Sequence, residues 1–498
     1  MDEITKNNMK RIKVNLPGGF APVGDMLELL ELLLDTGVTE ARIGVRQQLY
    51  FSVDERQLED LKYELFNLEL PIEIENEEYP NIMSSYVADG IFTQHGWVRE
   101  GIYKDIVTSF DFEPKLKVNI VADTQSFVPF YTGNLNFISS RINNYWHVYI
   151  RWPKTNAIYN LTKLIYSLDI APLCHLIESL LVIYPFDPSI DEDVQGAILE
   201  EHIVARNTFS MQEKTDELTE PEFRLPYYEG FNKHDGRHWL GIFRPDEVYA
   251  ISFLMDICEI CQSTRVGQFY TTPWKSLIIK DISDEDRDAW DLLLDKHRIN
   301  LRHASNELNW QTEDWCKEGL EIKRTIVNFF CRLNIRTYRL CFGVKINPSS
   351  GVWGSIIIKR NRALDGTTYF DVKYTADFNA NSRILIPYRS DVSLKKLPKV
   401  LKKLCDQYYD SSILIRSRSL QDQPNKDVMT KNSGNEQLYY QCVHCLSIYD
   451  PMYGDGLSGV APGIVFEDLP DDYCCGLCEA PKKEFQQIVL NSLKDVKS

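Results

Sequence analysis

The 498-residue sequence has no uninterrupted apolar run near the roughly 20 residues that a membrane-spanning helix needs. The stretch LCHLIESLLVIYPF is broken by His175, Glu178 and Ser179. The opening MDEITKNNMKRIKV lacks the apolar centre of a secretory signal, so a cytoplasmic location and no membrane partner are expected. Positive charge is in short supply: 55 Lys and Arg against 72 Asp and Glu leave a formal net charge of −17, which disfavours a general role on nucleic acid or anionic membrane. What is present in quantity is apolar and aromatic material, 44% and 12% of residues, enough to bury the several cores that a chain of this length needs.

The 12 cysteines are unevenly spread. Cys442, Cys445, Cys474, Cys475 and Cys478 lie close to the C-terminus, and in a reducing compartment C-x-x-C pairs more often bind metal than form disulfides. Cys442-x-x-Cys445 and Cys475-x-x-Cys478 would let two tight turns present four thiolates to one tetrahedral ion, with Cys474 turned away. Spacing alone leaves iron and zinc both open. Elsewhere Cys258 and Cys261 form CEIC on a predicted helix, and Cys174, Cys331 and Cys405 sit among Leu, Ile and Phe; all five read as packing residues. Between the metal segment and the rest, SLQDQPNKDVMTKNSGNEQ (419–437) is nearly devoid of large apolar residues and reads as a flexible linker.

The preceding chain contains an internal repeat. Trp97 opens WVREGIYKDIVTSF and Trp315 opens WCKEGLEIKRTIVNFF, each leading through an amphipathic helix to a strand, KLKVNIVAD and YRLCFGVKI. Upstream, DMLELLELLLDTG runs into RIGVRQQLYFSV, and DEVYAISFLMDICEICQ into GQFYTTPWKSLIIKDI, a helix then a strand in both cases. The chain before the linker therefore reads as two copies of one unit.

This arrangement, with VRQQLYF at Val45, TTPWKSLII at Thr271 and EPKLKVNI at Glu113, resembles the nitrite/sulfite reductase family. The resemblance implies an α+β body: ferredoxin-like half domains at 1–78 and 231–300, and reductase-like α/β domains at 79–230 and 301–418. It implies Arg46, Lys115 and Lys117 as cations around an oxyanion and siroheme. Members hold a [4Fe-4S] cluster with C-x5-C and C-x3-C pairs; here Cys316 and Cys341 match one position of each pair, while Trp310 and Lys345 stand at the others, and Pro80 replaces an expected arginine. No [4Fe-4S] cluster is expected, and siroheme stays open but is not favoured. Residues 438–490, with IYDPMYGDG, GVAPGIVFEDLPDDY, APKKEF and the aromatic set Tyr440, Tyr449, Phe466, Tyr473 and Phe485, resemble rubredoxin. That resemblance implies one iron on Cys442, Cys445, Cys475 and Cys478. Leu446 and Glu479 stand where rubredoxins usually place glycine, and Gly476 where they place proline. Eight Asp or Glu against two Lys between 438 and 486 make an acidic carrier, which a basic patch on a redox partner would steer. The expected function is electron transfer to a redox partner such as a nitrite or sulfite reductase or its reductase subunit, with a siroheme reductase carrying its own donor as the alternative.

Overall fold

The computed structural model describes residues 8–421 and 439–488, apart from 69, 93–95, 207, 216, 222, 235, 349, 364–365, 383, 446, 452–453, 456–457 and 462. The chain divides into two compact units, 1–414 and 415–498.

The first unit begins with two interlocked half domains. Strands Met9–Val14, Glu40–Ile43, Leu49–Asp54 and Ile72–Ile74 form one antiparallel sheet, and Gly230–His234, Arg237–Ile242, Gln268–Thr271 and Leu277–Ile282 form the other. Each sheet takes its fifth strand from the opposite half: Val248–Ala250 adds to Glu40–Ile43, and Phe20–Pro22 adds to Gln268–Thr271. Helices Val23–Asp35 and Ile251–Ser263 pack on one another. In the first, Met26, Leu29, Leu30 and Leu33 recur at i, i+3, i+4 and i+7 and are buried, so one stripe faces the common core. Cys258 and Cys261 lie in that core.

The single strand expected after each helix is a hairpin. RIGVRQQLYFSV turns at 44–48, closed by the Gly44 N–H on Gln48 O (2.8 Å) and the Gln47 N–H on Gly44 O (3.0 Å). The second copy repeats both bonds, from Thr272 to Ser276 O (3.0 Å) and from Lys275 to Thr272 O (3.1 Å). Gln47 (φ 68°) and Lys275 (φ 57°) occupy the same left-handed position in the two turns.

The larger pieces repeat as well. Met83–Ser84, Val118–Val121 and Leu135–Ser139 run parallel and continue into antiparallel Tyr145–Arg151, Lys163–Tyr166 and Met211–Glu213. Trp310–Thr312, Phe342–Lys345 and Ile356–Arg362 run parallel and continue into antiparallel Thr368–Thr375 and Leu385–Val392. Helices Glu100–Thr108 and Lys317–Arg332 make the first crossover of each sheet. All four residues of Val118–Val121 are buried, as expected for a parallel strand covered on both faces. Cys174 and Cys405 are buried as anticipated; Cys331 is not, because it lies on the exposed face at the end of its helix.

Helix Leu397–Gln421 includes the first three residues of the expected linker, and the remainder of that linker lies outside the described residues. The second unit holds a three-stranded antiparallel sheet of Tyr439–Cys442 flanked by Ile448–Tyr449 and Phe485–Ile488. Its core is the anticipated aromatic set: Phe466 stacks on Tyr440 at 4.1 Å and lies 5.1 Å from Phe485, while Tyr473 lies 5.9 Å from Tyr449. Among the described residues no helix is long and apolar enough to cross a membrane.

Candidate metal centre and the cavity of the body

A cavity of about 560 Å³ opens in the body, lined by residues from the first half domain and both α/β domains. Arg46 and Lys117 line it; Lys115 does not, being well exposed and paired with Glu78 at 2.8 Å. Arg46 is buried and nearly saturated: Nε and Nη2 donate to Asn81 O (3.0 and 2.9 Å), Nη2 also to Val118 O (2.8 Å), and Nη1 to Asn119 Oδ1 (3.1 Å). It thereby clasps the half domain to the adjoining sheet. None of these acceptors is charged, so burial, with Arg151 nearby, pushes the guanidinium down to about 9. Burial and then Arg46 and Arg151 push Lys117 down to about 8.

Carboxylates share the walls. Asp314 accepts from the Val45 N–H (3.1 Å) and pairs with Lys275 at 3.3 Å, and Glu313 accepts from the backbone of Ile346 and Asn347 at 2.8 Å each. Lys13, also on the wall, is paired with Glu73. A lining of mixed sign, with most charges already committed, fits a tetrapyrrole bearing several carboxylates poorly. Three of the positions that the sequence resemblance matches to cluster ligands make other contacts. Trp310 stacks on Phe342 at 4.4 Å. Cys316 caps helix Lys317–Arg332, with the Gly319 N–H on its sulfur at 3.4 Å, and Cys341 is fully buried. Two thiols do not satisfy a four-iron cluster.

In the second unit the two knuckles are built alike. Cys442 donates its N–H to Ser447 O (2.9 Å), and Cys475, in the same place of its own knuckle, donates to Ala480 O (2.8 Å). Each turn thus folds its second cysteine back toward its first. The sulfurs of Cys442, Cys445, Cys475 and Cys478 lie within 4.8 Å of one another, with Cys442 to Cys478 and Cys445 to Cys475 at 3.5 Å. A tetrahedron with metal–sulfur bonds of about 2.3 Å has edges of about 3.8 Å, so the four fit one ion. Cys442 and Cys475 are buried, Cys445 and Cys478 exposed beside the exposed Val443 and Leu477. One edge of the centre therefore meets solvent within an apolar rim. The Ser447 hydroxyl and then its N–H hold the Cys445 thiol below its ordinary value. Cys474 lies outside this set, its sulfur 3.5 Å from Asp472 O.

The rubredoxin family profile matches residues 439–485. This segment is a rubredoxin domain. Around it the chain is 51% identical over 49 residues to the high molecular weight rubredoxin of Moorella thermoacetica, covering 10% of this chain and 21% of that one. The chain is 38% identical over 65 residues to rubredoxin-2 of Alcanivorax borkumensis (12% and 37% covered) and 43% over 58 residues to rubredoxin-1 of Pseudomonas putida (12% and 33%). The chain thus spans from about a fifth to somewhat over a third of the length of these relatives. The body has the fold anticipated for it: the NirA protein of Mycobacterium tuberculosis superposes with a TM-score of 0.60 over 79% of this chain and 80% of that one, at 13% identity. That likeness is one of fold alone.

The rubredoxin domain with its four cysteines provides one iron site, and bound iron would supply a one-electron couple there. Sequence reasoning missed Ser447, whose hydroxyl lies 3.1 Å from the Cys475 sulfur; no motif marks a serine at that place. It did find Glu479, which stands at φ 59°, a left-handed backbone conformation that favours glycine. Glu479→Gly is expected to stabilise the iron-loaded domain by about 1 kcal/mol, read as a higher temperature for thermal bleaching of the iron–thiolate absorption. An unchanged or lower bleaching temperature would contradict the strain.

Proposed function

We propose that this chain is an electron-transfer protein of the cytoplasm whose rubredoxin domain holds iron on Cys442, Cys445, Cys475 and Cys478. In this reading the reductase-like body, lacking two of the thiolates a cluster needs, docks on a redox partner in nitrite or sulfite assimilation. The observation that carries the reading is the convergence of four sulfurs on one point, two of them at the surface. An electron can reach the exposed edge at Cys445 and Cys478 directly, while the buried Cys442 and Cys475 anchor the ion against the aromatic core. The segment joining the two parts, at 419–437, acts as a tether, so that each transfer to a docked partner is effectively intramolecular.

The rival reading, a siroheme-dependent reductase with a fused donor, draws its support from the cavity and from Arg46 and Lys117 beside it. One set of measurements on the purified whole chain separates the two. Iron near one atom per chain, iron–thiolate absorption, no acid-labile sulfide and no extractable tetrapyrrole are expected. Stoichiometric sulfide, or nitrite or sulfite turnover by the chain alone once siroheme is supplied, would overturn the docking reading in favour of the reductase.

A further inference from the structure

The first knuckle contains a group that the ligand set does not use. Ser447 follows Cys445 by two residues, and its Oγ sits 3.2 Å from the Cys445 sulfur and 3.1 Å from the Cys475 sulfur. Its position is fixed from two sides, because its own carbonyl accepts the Cys442 N–H at 2.9 Å and the next residues enter the strand Ile448–Tyr449. The hydroxyl therefore bridges the two knuckles, one sulfur from each, and one of those sulfurs belongs to the buried Cys475.

We propose that Ser447 is a positioning residue that sets the reduction potential of the iron centre by donating its hydroxyl hydrogen to a ligand sulfur. This rests on the reading that the four cysteines hold iron. A ligating cysteine is a thiolate and has no hydrogen to give, so in the 3.1 Å contact the hydroxyl is the donor and the sulfur the acceptor. Taking up one electron makes the four-thiolate site one unit more negative while no bond to sulfur is made or broken. A hydrogen bond to sulfur is therefore stronger in the reduced state and favours it. The effect should be felt most at Cys475, which solvent does not screen.

The test uses the whole chain with Ser447→Ala, Ser447→Val and Ser447→Thr. Midpoint potentials are read by equilibration with a one-electron dye of known potential, and iron is measured in each protein. In the Ala and Val variants the equilibrium constant for reduction should fall about tenfold, a lowering of about 59 mV for a one-electron couple. The Thr variant, which keeps the hydroxyl, should stay within about twofold of the parent. The sulfur-to-iron charge-transfer band of the oxidised protein should move to longer wavelength in Ala and Val and not in Thr. Val and Thr are nearly the same size, so a merely structural role would move both together.

An unchanged potential in Ala and Val with iron bound overturns the inference, as does a Thr variant that shifts with Val. Loss of iron from Ala and Val also overturns it, since the hydroxyl would then govern retention of the ion instead of its potential. A parent protein purified without iron–thiolate absorption would overturn a different statement, the ligand assignment on which this one rests.

Discussion

Serine in place of any one of Cys442, Cys445, Cys475 or Cys478 is expected to abolish or grossly alter the iron–thiolate absorption, while Cys474→Ser leaves it intact. The four sulfurs converge within 4.8 Å, and the Cys474 sulfur instead approaches the carbonyl of Asp472. A serine hydroxyl is a poorer iron ligand than a thiolate because it resists deprotonation near neutral pH. In a domain this small the metal contributes a large part of folding, so the substitutions should also lower its melting temperature. The loss should be graded. Cys442 and Cys475 are buried against Ala480 and Phe485, where a hydroxyl that loses its metal has no water to turn to. Cys445 and Cys478 are exposed, and a hydroxyl there stays solvated. Visible absorption, iron content and thermal unfolding of the five single variants check this. Equal loss at Cys474 would sink the ligand assignment, and greater damage at the exposed pair than at the buried pair would sink the account of the gradation.

The metal centre was legible because everything that builds it is local. Two C-x-x-C turns and the aromatics between and beside them lie within fifty residues, and knuckle geometry follows from spacing. The repeat in the body was legible at the level of helix followed by strand, since Val23–Asp35 and Ile251–Ser263 carry clear helical periodicity. The hairpins were not, because the residues at the left-handed turn positions are Gln47 and Lys275, where a glycine or asparagine would have given the signal. Nor was the exchange of strands between the half domains. Phe20–Pro22 and Val248–Ala250 are three residues each, too short for a period of two to show, and what selects their partners is the pairing of the two halves in space. Arg46 and Lys117 were found as cations, but their environment was not: the neutral acceptors around Arg46 come from Asn81, Val118 and Asn119, far along the chain.

The same blindness applied to a network of buried charges in the body, and it gives the largest expected effect on its stability. Glu247 is 4% exposed, its Oε2 2.7 Å from Lys275 Nζ and its Oε1 3.5 Å from Lys323 Nζ, and the Thr312 hydroxyl donates to Oε1 at 3.2 Å. Lys275 also meets Asp314 at 3.3 Å. No sequence motif marks these residues as buried. Burial alone would raise the Glu247 carboxyl, yet Lys275 and Lys323 outweigh it and hold it below the usual carboxylate range. A carboxylate held low in the folded state stabilises the fold above its unfolded value near 4 and loses that contribution as pH falls through the folded value. The body should therefore lose stability in acid, below about pH 4.

Glu247→Gln removes the charge while keeping shape and the Thr312 contact, leaving Lys323 with Glu307 as its remaining carboxylate and Lys275 with Asp314 at 3.3 Å, the Thr312 hydroxyl at 3.2 Å and Glu313 O at 3.4 Å. Removing one partner of a buried ion pair costs about 3–5 kcal/mol. Lys323→Met should cost far less, under about 1 kcal/mol, because burial already pulls Lys323 below its ordinary value, its contact with Glu247 is long, and a methionine fills a similar volume. All nine tryptophans precede the rubredoxin domain, so tryptophan fluorescence during urea unfolding of the whole chain follows the body alone. A loss of less than 1 kcal/mol for Glu247→Gln, or a larger one for Lys323→Met, would show that water reaches the network and that its charges are not as isolated as their burial implies.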